Sequence, residues 1–367
     1  MTQDKGKLIT LAIHTFDYAN ALKEQLERGG IEVQLHNVDL NHPVISTGVR
    51  VRIHECDLPL ALKIIERPNS PLARRSSKQP VIIPIDFSEY SLNACMIGFD
   101  FAHSIGAKVV LLHSYIGANR SGSLPFDSEH LKIEYGTAKD NEKARAAKEK
   151  MENFKASINN AIERGEMRKV PFETVIKEGV PEDCIIDFAK KTDAVMVVMG
   201  TRGKHKKQAD MVGSVTAEVL DAGKFPVFSV PESIALRHIG DIKRVVFLNS
   251  MCQQDLISFD AFTRLFNQNE LKVSLVPVTE KRESKIEERN NAILEYCNKQ
   301  YPGSQFSIVS FKESNFVNDF SDYVAENNID LIIIPNRKRN IFARLFNPSL
   351  AHKMLFLSDT PLLVIPI

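Results

Sequence analysis

Apolar residues Ala194 to Met199 run into Gly200-Thr201-Arg202-Gly203, and nine residues later Gly213-Ser214-Val215-Thr216 opens a stretch of helical spacing. Such a loop suits phosphate. Glycine at Gly200 and Gly203 admits backbone angles closed to other residues and lets the chain approach a ligand with no Cβ in the way. Gly213 and Ser214 stand where a helix starts, so free N–H groups and the positive end of the helix dipole face an anion. Ser214 and Thr216, on either side of Val215, add hydroxyl donors. The pattern as a whole fits a triphosphate.

Other groups carry weaker signals. Asp86 closes the apolar run Ile82-Ile83-Pro84-Ile85, and two readings stay open for it: a ligand contact, or a strand-end or helix-capping carboxylate. His113 ends another apolar run, where a histidine serves either a site or the strand itself. Arg202, Lys204, His205, Lys206 and Lys207 form a basic loop that either screens phosphates or is simply solvated. Established catalytic patterns fail on inspection. Gly203-Lys204 is followed by His205 instead of Ser or Thr, which breaks a Walker A loop, and Asp86-Phe87-Ser88-Glu89 stands where a dinucleotide-binding G-x-G-x-x-G belongs. No zinc-protease, nucleophile-elbow or kinase signature is present. Cys56, Cys95, Cys184, Cys252 and Cys297 form no C-x-x-C pair, so buried, reduced thiols are expected rather than disulfides or a zinc site. No catalytic residue and no metal ligand is nominated.

The elements that position these groups follow from periodicity. From Pro80 onward, apolar strands alternate with helical segments, the signature of a parallel sheet covered on both faces. Strands are expected at Pro80 to Ile85, Lys108 to His113, Phe172 to Ile176, Ala194 to Met199 and Pro226 to Val230. Between them lie helices at Tyr90 to Ile105, Ala138 to Arg164, Pro181 to Lys190 and Val212 to Asp221. The order then repeats, with strands at Arg244 to Leu248, Lys272 to Val276, Gln305 to Phe311, Leu331 to Pro335 and Pro361 to Ile365. Helical segments accompany them around Asp260 to Phe266, Lys285 to Lys299, Val317 to Asn327 and Leu350 to Phe356. The ends match best, Lys224 to Pro231 against Asp359 to Pro366, and an internal duplication accounts for both copies. The fold class is therefore α/β, with two doubly wound five-stranded parallel sheets rather than one sheet of ten. Before them, Leu8 to Ile13, Tyr18 to Arg28, Ile31 to Leu35, Val49 to Ile53 and Leu58 to Ile65 read as a small α+β unit. The expected division is residues 1–70, a linker 71–78, a domain 79–232, a linker 233–242 and a domain 243–367.

Composition bounds the partners. Across 367 residues, 47 basic side chains balance 46 acidic ones, which gives no argument for nucleic acid or an anionic membrane as main partner. No apolar run reaches the roughly 18 to 20 residues of a membrane span, and Met1 to Leu8 lacks the apolar core of a secretory signal, so a cytoplasmic protein is expected.

The spacing G-x-x-G-x9-G-S after the fourth strand resembles the nucleotide-binding signature of the universal stress protein family, with Gly200, Gly203, Gly213 and Ser214 in place. Ile82 to Ser88 is similar to that family's first strand, His113-Ser114 to the end of its second, and Glu178-Gly179-Val180-Pro181 to the turn before its third helix. The resemblance implies that Asp86 touches the adenine or ribose side of ATP, that residues around His113 surround the adenine, and that ATP is held with or without Mg. It also implies that domains pair through their last strands, here Pro226 to Val230 and Pro361 to Ile365, as an intramolecular pseudo-dimer with any homo-oligomer built from other surfaces. In the second copy Pro335-Asn336-Arg337-Lys338 and Pro348-Ser349 replace the glycine turns and Asn249 stands for Asp86, so that copy is expected to have lost ATP. Residues 7–67 resemble the small signal-transducing domains of ferredoxin-like shape found beside many bacterial regulators. The function implied is a nucleotide-dependent stress-response regulator acting on a protein partner, with at most slow hydrolysis or self-phosphorylation. Two rival readings are an interaction scaffold without nucleotide and an ATP-using enzyme of the adenine nucleotide α-hydrolase-like class.

Overall fold

The computed structural model describes residues 8–14, 16–37, 49–57, 60–61, 64, 79–117, 138–201, 214–222, 224–231, 234, 236–249, 253–266, 270–277, 286–311, 315–336 and 360–366. The N-terminal unit comprises β1 (Leu8–His14), α1 (Phe16–Arg28), β2 (Gln34–Asn37) and β3 (Val49–His54). Its sheet is antiparallel in the order β1-β3-β2. Leu22 and Leu26 of α1 pack on Val51 and Ile53 of β3 in a core of their own. Ile31 and Val33, expected in the second strand, are buried there as well, but the ladder starts only at Gln34, opposite Arg52.

The rest alternates as the periodicity predicts: β4 (Val81–Pro84), α2 (Glu89–Ile105), β5 (Val109–Tyr115), α3 (Ala138–Glu163), β6 (Phe172–Glu178), α4 (Pro181–Lys191), β7 (Met196–Gly200), α5 (Ser214–Ala222) and β8 (Val227–Val230). A second series follows, with β9 (Arg244–Asn249), α6 (Gln253–Phe266), β10 (Lys272–Pro277), α7 (Ile286–Gln300), β11 (Gln305–Ile308), α8 (Phe316–Glu326), β12 (Leu331–Asn336) and β13 (Leu362–Pro366). Local chemistry sets the helix ends. Pro181 opens α4 with its fixed φ, and α2 stops at Gly106, whose φ of 67° lets its N–H return to the carbonyls of Ala102 and His103. The expected helix at Leu350 to Phe356 and the linker at residues 71–78 lie outside the described residues.

One expectation is overturned. The strands form a single ten-stranded sheet, in the order β11-β10-β9-β12-β13-β8-β7-β4-β5-β6. All its pairings are parallel except the central one, where Leu362, Leu363 and Val364 of β13 run antiparallel to Ser229, Phe228 and Val227 of β8. No crossover between the halves is needed, because both halves arrive at the seam by their last strands. The sheet is Rossmann-like α/β and mixed. Each half has the same internal order, and equal pairings put Pro335, opposite Ile365, where Gly200 stands opposite Val230. By the same registers Val245 corresponds to Val81, so Asn249 matches Ile85 and not Asp86 as the sequence comparison placed it.

Both faces of the sheet are packed continuously across the seam, and Phe101 of α2 and Phe228 of β8 meet Phe266 of α6 at 5.2 and 6.0 Å between ring centroids. Full burial of each such ring contributes about 1.5–3 kcal/mol. A carboxylate fastens the connecting segment. Asp100 of α2 is 8% exposed; its Oδ2 accepts the Ile239 N–H at 2.8 Å, and its Oδ1 accepts from Arg168 Nε and His238 Nδ1, each at 3.1 Å. Cys95 and Cys297 are buried, and burial pushes both thiols up, that of Cys297 to about 12. Cys56 is exposed and Cys184 half-buried, so burial does not cover every thiol as expected.

Asp100→Ala leaves the buried Ile239 N–H without its acceptor and is expected to cost about 1–3 kcal/mol in urea unfolding. Arg168→Ala, whose side chain is half exposed, should cost less than about 1 kcal/mol. Equal losses would contradict this account of the junction.

Candidate functional site

The C-terminal ends of β5, β4 and β7 lie side by side, at the point where the chain turns from building one side of the sheet to the other. Open α/β sheets bind ligands at such places. A cavity of about 320 Å³ opens there. Ile85 and Asp86 after β4, Leu112, His113 and Ser114 of β5, and Met199, Gly200 and Thr201 at β7 form its floor. Tyr90 and Ser91 of α2, Pro181 and Ile185 of α4, and Val215 and Thr216 of α5 form its walls. Two strand spacings separate β5 from β7, roughly 10 Å, which is enough to seat a nucleoside. The two ends differ in chemistry, being apolar beside Leu112, Pro181 and Ile185 and polar beside Thr201 and Thr216.

Of the residues nominated from sequence, Asp86, His113, Gly200, Val215 and Thr216 therefore meet at one cavity. Ser214 is the first residue of α5. Arg202, Gly203 and Gly213, with the basic residues Lys204 to Lys207, lie outside the described residues. Sequence reasoning missed Tyr90, Ser91, Pro181 and Ile185. The last two come from a helix whose only visible mark was its proline start, and Ser91 shows itself only as a hydroxyl in the first turn after Asp86.

Asp86 stands at the exposed rim and is held by its neighbours. Its Oδ1 accepts the Ser88 N–H at 3.0 Å, the Ser88 hydroxyl, and the Ser91 hydroxyl at 2.7 Å, while its own N–H donates to Ser91 Oγ at 3.0 Å. Partial burial opposes ionisation, but the hydrogen bonds from Ser88 and Ser91 outweigh it and keep the carboxyl below its ordinary 3.8. The side chain thus ties down the start of α2 and also lines the cavity.

Phe87 beside it has φ of 68°, a left-handed conformation that costs a bulky residue of order 1–3 kcal/mol. Its ring packs at 4.3 Å from His113 and 5.8 Å from Phe154 of α3. His113 Nδ1 is 2.9 Å from the Ile85 carbonyl, which accepts only, so Nδ1 carries the proton. The histidine thereby locks the ends of β4 and β5 together. Gly200 also has a packing role that the sequence did not suggest. A Cβ there would lie 2.7 Å from the Tyr90 carbonyl oxygen, so the glycine admits the first turn of α2. Thr201 N–H donates to the Val230 carbonyl at 2.8 Å, and Thr216 Oγ1 to the Gly200 carbonyl at 3.4 Å, closing the turn. Among the described residues no group of three His, Cys, Asp or Glu side chains is placed to hold a metal, and no helix is long and apolar enough to cross a membrane.

Residues 78–231 match the model of the universal stress protein family. A universal stress protein of Methanocaldococcus jannaschii is 30% identical over 155 residues, spanning 41% of this chain and 80% of that protein. The chain belongs to the universal stress protein family. A universal stress protein of Archaeoglobus fulgidus has a similar fold, with a TM-score of 0.55 at 16% identity over 79% of this chain and 98% of its own. A universal stress protein solved in complex with cAMP is 21% identical over 43% of this chain and 99% of that one, at a TM-score of 0.30.

Two outcomes test this site. Because the Asp86 carboxyl is more acidic folded than unfolded, its stabilising contribution is full above about pH 4 and is lost as pH falls through the folded value. Urea midpoints measured from about pH 5 down to about pH 3 should therefore fall less steeply for Asp86→Asn than for the parent. Gly200→Ala should lose about 1–3 kcal/mol from overpacking against Tyr90, read as a lower melting temperature. An unshifted melt would show that α2 is not seated on that glycine.

Proposed function

We propose that this universal stress protein binds one ATP in the cavity between β4, β5 and β7, with Asp86, His113, Gly200, Arg202, Gly203, Gly213, Ser214, Val215 and Thr216 forming or supporting the site. The convergence of Asp86, Gly200, Val215 and Thr216 on one cavity at the sheet's switch point carries this reading. The apolar end beside Leu112, Pro181 and Ile185 suits the base, the Asp86 carboxylate suits a ribose hydroxyl, and the start of α5 suits the phosphates. Gly203 and Gly213 supply the remaining backbone donors of the loop, and Mg would come with the phosphates.

The second half keeps the sheet and loses the chemistry. Pro335 occupies the position of Gly200 and has no N–H to offer. Lys338 and Pro348 follow where Gly203 and Gly213 stand in the first half. We read residues 79–232 and 243–367 as tandem copies that form a pseudo-dimer within one chain, and residues 1–70 as a ferredoxin-like accessory unit. The working protein is a cytoplasmic stress-response regulator whose contact with a protein partner follows nucleotide state. Binding does not imply turnover, because no described side chain at the cavity is arranged to activate a water.

Calorimetric titration of the full chain with ATP should give a ratio near one. Gly213→Val, which fills the phosphate path, should abolish the heat while leaving the circular-dichroism spectrum unchanged. The second half lacks at least two donors to charged oxygens, worth about 1.5–3 kcal/mol each, so a second site should be weaker by at least about a hundredfold. A ratio of two would refute that loss, and no heat at all would favour a scaffold without nucleotide.

A further inference from the structure

The N-terminal sheet packs one face on α1 and leaves the other to different chemistry. Along β3, Val49, Val51 and Ile53 enter the core, so Arg50, Arg52 and His54 project from the opposite face. The ladder sets His36 directly across from Arg50 and Gln34 across from Arg52, adding an exposed imidazole to the same patch. Cross-strand neighbours on one face touch, so these form one cluster. The guanidiniums are only partly used. Arg52 Nη2 donates to the Leu8 carbonyl at 3.0 Å, while the Nε of Arg50 and the Nε of Arg52 are buried with no hydrogen-bond partner among the described residues.

These buried Nε atoms are out of reach of a partner, so any recognition by this face falls to the terminal Nη groups. The acidic groups of α1 lie on the other face of the sheet, where Glu24 and Glu27 pair with Arg28 and Lys23 on the same helix. α6 lies against β1, at one edge of the sheet, while Arg50 and Arg52 are half-buried and His36 is exposed.

We propose that this face, centred on Arg50 and Arg52 with His36 at its flank, is a docking surface for an extended, carboxylate-rich protein segment. Arg50 and Arg52 stand two residues apart on one strand, about 7 Å. Alternate side chains of an extended peptide have the same spacing, so two successive carboxylates meet both guanidiniums at once. Guanidinium presents paired donors that match a carboxylate, which gives the contact direction as well as charge. Single-stranded nucleic acid fits less well, because the described residues of this face include no Phe, Tyr or Trp on which bases stack.

The full chain, with fluorescence anisotropy as readout, decides the matter. The probe is a labelled peptide of alternating glutamate and serine, compared with single-stranded RNA of equal charge. The peptide should bind, and more weakly as salt rises from about 50 to about 300 mM. Arg50→Gln, which removes no hydrogen bond among the described residues, should weaken binding about tenfold at an unchanged melting temperature. The double variant with Arg52→Gln should lose binding, and Arg50→Lys should recover part of what Arg50→Gln loses. Absence of binding, equal binding by Arg50→Gln, or tighter binding of the RNA would each overturn the proposal.

Discussion

The pairing of β8 with β13 is the contact on which the rest of the molecule depends. It sets Val227 opposite Val364, Phe228 opposite Leu363 and Ser229 opposite Leu362, and this short ladder turns two half-sheets into one. An exposed apolar strand edge is a template for association, and each of these strands covers the other's. With the edges closed, the apolar layers above and below the sheet run through both halves without a break, and the rings of Phe101, Phe228 and Phe266 meet across the join. Asp100 then holds the connecting segment against α2, so the chain between the halves belongs to the packed structure.

The cavity follows from how α2 is seated. Its first turn must come close to the end of β7, and it does so because Gly200 has no Cβ to meet the Tyr90 carbonyl. The same turn carries Ser91, which with Ser88 fixes the Asp86 carboxylate. Phe87 accepts a left-handed backbone at this point, and its ring and the His113 hydrogen bond to Ile85 hold the ends of β4 and β5. A pocket at a switch point, with Asp86 fixed at its rim, is thus produced by packing requirements on four neighbouring residues, Phe87, Ser88, Tyr90 and Ser91, before any ligand is considered.

The halves share a sheet and differ at the strand ends. Strand order and register are shared, because both depend on apolar side chains facing two helical layers. The loops beyond the strand ends are free of that constraint. Where Gly200 allows α2 to approach, Pro335 stands in the second half with a fixed φ and no donor.

Much of this was legible in the sequence. Alternating apolar strands and helices and the Pro181 start follow from local preference and spacing, which act within a few residues, whereas the meeting of Asp86 with Gly200 and Thr216 at one cavity was implied only by the family resemblance. The N-terminal patch was half legible, since alternation in Val49 to His54 separates arginines from valines, but only pairing with β2 brings His36 opposite Arg50. The pairing of the two last strands was implied by the family resemblance and is found, but that it merges the halves into a single ten-stranded sheet was visible only in the tertiary structure, because edge pairing joins residues more than a hundred positions apart and leaves no periodic mark. Tertiary structure also moved the match of Asn249 from Asp86 to Ile85, since register is set by neighbouring strands rather than by the order of letters. The role of Gly200 belongs to the same class. A glycine in a sequence announces that a side chain is unwelcome, and only the folded chain shows that the Tyr90 carbonyl is what excludes it.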